Sequence, residues 1–112
     1  MEKEPVIKGI LVPPPGGERR VYKNVDIAND LKGYQTIVGG YIEVAYINAE
    51  RTIAAIFNEE GKIIDLPANI DIGFDKIVGT VFIVGADGEE FRSLTEDERK
   101  IALEWLDKHM IN

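Results

Sequence analysis

The chain has 112 residues, 45% hydrophobic and 29% charged, enough for one folded domain that buries about two-thirds of its unfolded surface. It has no cysteine, one histidine (His109), one serine (Ser93) and a net charge of −7. Disulfides, thiol nucleophiles and thiolate metal sites are excluded, and a Ser-His-Asp triad would need both of those single residues. No metal or other cofactor is implied, and the acidic balance disfavours direct nucleic-acid binding, which depends on a basic footprint.

Residues 1–12 begin with charges and lack the apolar stretch of a secretory signal, and no run approaches the ~18 apolar residues of a membrane-spanning helix. The expectation is a cytoplasmic protein with no membrane partner. Val6–Val12 is rich in β-branched residues and reads as a first strand, stopped by Pro13-Pro14-Pro15-Gly16-Gly17. Glu18–Lys23 reads as a short charged edge strand. Asn24 or Asp26 is the expected N-cap of a helix whose apolar face is Ile27, Leu31, Tyr34 and Ile37/Val38, closed by Gly39-Gly40. Gly33 inside that helix implies close packing on the sheet.

Residues 41–47 and Arg51–Phe57 read as an antiparallel hairpin turning at Asn48-Ala49-Glu50. Asn58-Glu59-Glu60-Gly61 is a turn, with Gly61 placed for positive φ; Lys62–Leu66 follows as a short strand and Ala68–Asp75 as a loop. Ile77–Val84 is nearly all apolar, which predicts a central strand covered on both faces. Asp87-Gly88 is a turn, and Glu89–Arg92 a brief return strand. Thr95 and Glu98 form a capping box, and Ile101, Ala102, Trp105, Leu106 and His109 make one stripe of a last helix. The fold class is α+β: a mostly antiparallel sheet of five to seven short strands, one helix after the second strand and a C-terminal helix packed on it. The whole of 1–112 is one domain, with mobility expected in the first few residues and in the 13–18 loop.

Glycines beside Arg19 and Arg20 suit an anion, since guanidinium groups bind phosphate in bidentate fashion. The segment lacks the lysine of a P-loop, and its plain reading is a solvated loop. Asn58 to Lys62 packs two carboxylates, an amide and an ammonium into five residues, which serves either ligand orientation or turn geometry. Asn69–Asp75 alternates acids, but its glycine is out of place for a calcium loop. His109 is explained by packing and the helix dipole, and Trp105 as core or dimer interface rather than a stacking platform. Tyr41, beside the glycine pair, is the tyrosine placed at a pocket mouth.

Three blocks occur in order: Tyr34–Glu43 with its Gly39-Gly40-Tyr41; Asn58-Glu59-Glu60-Gly61-Lys62 with Leu66-Pro67-Ala68-Asn69; and Ile77-Val78-Gly79-Thr80 with Ile83-Val84-Gly85. Together they resemble the domain-of-unknown-function family 3846, small proteins of phages, plasmids and other mobile elements, over roughly residues 6–95. Tyr34 stands where a leucine is usual. No activity comes with the resemblance, but its setting implies counter-defence, by blocking a host defence protein or sequestering its nucleotide-derived signal. On that reading Asn58, Glu59, Lys62, Asn69 and Thr80 converge at one end of the sheet. Arg19 and Arg20 close over an anionic ligand from a partner in a homo-oligomer. The expected function is non-enzymatic capture of a small nucleotide-like ligand. The alternative is an acidic inhibitor that binds a host defence protein, using Glu96, Asp97, Glu98, Glu104 and Asp107 as a nucleic-acid mimic. Acid–base catalysis through Glu59 or Glu60 is the third possibility, to which no constellation points.

Overall fold

The structure is a computed structural model and describes residues 4–16 and 23–111. Val6–Val12 forms strand β1, as its β-branched composition dictates. Most of the expected edge strand at 18–23, with Arg19 and Arg20, lies outside the described residues. Strand β2, Lys23–Ala28, corrects the next expectation, because it pairs antiparallel with β1 from Val6↔Ala28 to Leu11↔Lys23. The helical spacing counted Ile27, but Val25 and Ile27 alternate as strand residues packed against the core, so the two-residue period wins there. Neither Asn24 nor Asp26 caps the helix. Asp30 does, accepting from the Gly33 N–H at 2.7 Å, and helix α1 covers only Leu31–Val38. Gly39, at φ 81°, closes it as expected.

Strands β3 (Ile42–Tyr46) and β4 (Ile53–Asn58) form the expected hairpin, in register from Ile42↔Asn58 to Tyr46↔Ala54. Residues 62–66 are not a strand. Asn58 Oδ1 accepts from the Glu60 N–H at 2.8 Å, and Leu66 N–H returns to the Gly61 carbonyl at 2.8 Å, so the chain coils back on itself. Asp65, not Gly61, takes the left-handed conformation (φ 59°). Gly61 is required for space instead: a Cβ there would stand 2.6 Å from Val78 Cγ2. Ile63, expected in a strand, is 82% exposed.

The expected loop at 68–75 contains strand β5, Ala68–Asp71, which pairs with β6, Lys76–Val78, in a separate two-stranded ribbon. The apolar run Ile77–Val84 is therefore two strands. Gly79, at φ 78°, breaks it, and β7 starts afresh at Val81 and ends at Asp87. β7 is the central strand that its composition predicts. The main sheet has the order β2-β1-β7-β4-β3, with β8 (Glu90–Arg92) on the edge of β7 away from β4, and every pairing in it is antiparallel. Helix α2, Glu96–His109, starts from the predicted Thr95/Glu98 capping box.

Side-chain alternation along the strands builds two cores. Phe82, Val84 and Ala86 of β7 join Ile7, Ala54 and Ile56 beneath Tyr34 and Val38 of α1. Val81 and Ile83 face the other way, with Ile10, Val12, Ile53 and Ala55, beneath Ala102 and Leu106 of α2 and Ile70 and Ile77 of the ribbon. The second layer, helix plus ribbon, leaves a cleft over the β3–β4 end of the sheet. Among the described residues no helix is long and apolar enough to cross a membrane.

Candidate functional site

The cleft is a concavity of about 270 Å³. One wall is the α2-side face of the β3–β4 hairpin, where Glu43, Ala45 and Phe57 lie together because Glu43 pairs with Phe57 across the strands. The facing wall is β6, with Lys76, Ile77 and Val78, and the turn that precedes it, with Ile72, Phe74 and Asp75. Asn58, Glu59 and Lys62 form the end, where β4 coils into the 59–66 turn.

The 72–75 turn is closed by Ile72 N–H to the Asp75 carbonyl (3.0 Å) and by Gly73 N–H to Asp71 Oδ1 (2.9 Å), with Gly73 at φ 93°. That backbone holds Phe74 out at 91% exposure. Lys62 Nζ donates to Asp75 Oδ1, so a salt bridge spans the polar end of the cleft. The Lys62 hydrogen bond, helped by the Lys76 backbone N–H, holds the Asp75 carboxyl below its usual range. A general acid near neutral pH needs the opposite shift.

Of the residues singled out in the sequence, Asn58, Glu59 and Lys62 meet in this cleft. Asn58 is buried and its amide also serves the fold: Nδ2 donates to the Val38 carbonyl at the end of α1 (3.3 Å). Tyr41 is joined to the site through its carbonyl, which accepts from Glu59 N–H at 2.8 Å, while the residue itself is 65% exposed outside the cleft. Asn69 is fully buried away from it, donating to the carbonyls of Val12 (2.9 Å) and Gly79 (2.7 Å). Thr80 sits half-buried in the link between β6 and β7, also outside the cleft lining. Arg19 and Arg20 fall outside the described residues.

Phe57, Phe74, Lys76 and Glu43 were not singled out, because they meet only once the ribbon is folded over β3. One sequence signal pointed to Phe74: a large aromatic between Gly73 and Asp75 is an odd occupant for a turn tip. A second concavity of about 290 Å³ lies between β1–β2 and α2, with Lys8, Asn24 and Arg99 on its wall and Arg99 Nε donating to Asn24 Oδ1 at 3.0 Å. Among the described residues no group of three or more His, Asp or Glu side chains is placed to hold a metal ion.

The acidic helix face is not a continuous row. Glu98 turns inward to Arg92, and Lys100 and Lys108 stand one turn from Glu104 on the exposed side. A family profile described as Domain of unknown function (DUF3846) matches residues 7–108. The chain belongs to this family. DUF3846 membership thus spans β1 through α2, including both walls of the cleft. No curated protein and no solved structure matches the chain.

Proposed function

We propose that this DUF3846 protein is a non-catalytic binding protein that captures a small nucleotide-derived ligand in the cleft between the β3–β4 hairpin and the β5–β6 ribbon. The observation that carries the reading is the composition of that cleft: Phe57, Phe74 and Ile77 supply apolar walls, while Lys62, Lys76 and Asn58, with the carboxylates of Glu43, Glu59 and Asp75, supply the polar groups. Small-molecule sites are built this way, mostly apolar with a handful of orienting polar side chains. Two lysines suit a phosphate, and the exposed Lys62–Asp75 pair is a weak contact that an incoming anion can replace. In the mobile-element setting that the family resemblance suggests, such capture removes a host defence signal from solution, and a homo-oligomer in the host cytoplasm is the form proposed for it.

The test is a thermal-shift panel of cyclic dinucleotides and ADP-ribose derivatives. A ligand at 100 times its Kd adds about 2.7 kcal/mol of stability, which raises Tm by about 10 °C in a domain this size. Replacing both cleft lysines, K62A/K76A, abolishes the shift and leaves the free protein's Tm within about 2 °C, because exposed ion pairs contribute little. A panel that gives no shift, or a shift that the double variant retains, overturns the proposal.

A further inference from the structure

Beyond Phe74 the cleft continues into a second compartment of about 230 Å³, sharing Ala45, Ile72, Phe74 and Ile77 with the first. Its remaining lining is Tyr46 and Ile47 from the end of β3, and Trp105 and His109 from α2. The last two stand one helical turn apart, so they share a face, and their rings lie 4.9 Å centre to centre at 36°. His109 Nδ1–H donates to the Asp71 carbonyl at 2.9 Å. A carbonyl only accepts, so the hydrogen is on Nδ1, and the ring is oriented with Nε2 as its second polar atom. Tyr46 is covered on one side by the Arg51 guanidinium, 5.7 Å from its centroid.

We propose that this compartment is the subsite for a nucleobase: a planar ring stacks among Phe74, Trp105 and Tyr46, while the phosphate-bearing end lies toward Lys62 and Lys76. The inference rests on the capture reading and adds its orientation and ligand class. Three arguments favour a base over another occupant. The compartment opens directly into the lysine-bearing end, so one small molecule reaches both. Its size admits a single ring system rather than a helix or strand. Its polar handle is an oriented imidazole on an aromatic wall, which pairs with the donor- and acceptor-bearing edge of a base, whereas a hydrocarbon chain has no partner to offer it. Phe74 is the closing element. At 91% exposure it contributes nothing to the free fold's packing and becomes covered only when the compartment fills.

Trp105 is the chain's only tryptophan, so its emission reports this compartment alone. ADP-ribose should quench it saturably, and ribose 5-phosphate, which lacks the base, should leave it unchanged. Phe74→Ala should weaken ADP-ribose binding roughly tenfold, about 1.4 kcal/mol and within the range of one ring–base stack, without moving the free protein's Tm. A Tm rise with ADP-ribose, with no change in Trp105 emission and equal affinity in the Phe74→Ala variant, leaves capture standing and overturns the base subsite. No Tm rise with any nucleotide overturns both. Emission that shifts with protein concentration alone, and stops doing so in the Phe74→Ala variant, also overturns the subsite, because a second copy then covers the patch.

Discussion

Glu98→Gln is the sharpest test of how the second helix is fixed to the sheet. Arg92 at the end of β8 clamps Glu98 with two parallel bonds, Nη1 to Oε1 at 2.6 Å and Nη2 to Oε2 at 2.9 Å, and its Nε reaches Asp87 at 3.1 Å. The guanidinium fits there because position 85 is glycine; a Cβ would stand 2.1 Å from Nη1. Glu98 also receives the Thr95 N–H at 2.9 Å, so one carboxylate closes the helix cap and the sheet contact together. Its side chain is only 13% exposed, and the Arg92 bonds pull its pKa from 4.5 down to about 2. A depressed carboxylate pKa stabilises the fold fully above the unfolded value of 4.5, and the contribution drains away as pH falls toward 2. At 1.36 kcal/mol per unit the contribution is roughly 3 kcal/mol at pH 7 and about 1 kcal/mol at pH 3. Glutamine keeps the size and the acceptor for Thr95 but turns an N–H₂ against the guanidinium. Urea melts of both proteins at pH 7 and pH 3 measure the difference. The expected gap is roughly 3 kcal/mol at pH 7, about 10 °C in Tm, shrinking to less than half of that at pH 3. A gap of equal size at both pH values, or no gap at pH 7, would refute the charge-pair account.

Asn69→Ala removes a donor from the buried carbonyls of Val12 and Gly79 and should cost about 2–4 kcal/mol, read as a lower urea midpoint with unchanged slope. A loss below about 0.5 kcal/mol would mean that Asn69 does not tie β5 to β1. Gly33→Ala separates two arguments. Helix propensity alone predicts a gain of about 1 kcal/mol, but the new Cβ would lie 2.2 Å from the Ala28 carbonyl oxygen, so a net loss is expected in the same melts.

Elements with a purely local cause were legible in the sequence. The Thr95/Glu98 box and the Gly39 closure each follow from a few adjacent residues and stand where the sequence places them, and the doubly buried central strand is foreseen from its composition, though Gly79 breaks the run and β7 begins only at Val81. The misread segments share a different cause, in that a distant partner decides them. Ile63-Ile64 looks like strand, yet the Asn58 side chain coils the chain before it can extend. Ala68–Asp71 looks like loop because Asn69 and Asp71 are polar, yet Asn69 is the buried tie between β1 and the ribbon. Ile27 fits the helical spacing of Leu31 and Tyr34 because the pairing of β2 with β1 is not written locally. The site divides the same way. Asn58 to Lys62 announced itself as a polar turn, while Phe57, Phe74, Lys76 and Trp105 come from four separate elements. Asn69 stood out for its polarity, which in the fold is spent on two backbone carbonyls.

Amide chemical-shift mapping with ADP-ribose and a cyclic dinucleotide tests the capture claim most directly, because it reports where a ligand sits without any mutation. The account predicts perturbed amides at Glu43–Ala45, Phe57–Lys62 and Ile72–Val78, extending to the Trp105 indole N–H. Perturbations centred instead on Lys8, Asn24 and Arg99, or none at millimolar ligand, would contradict it.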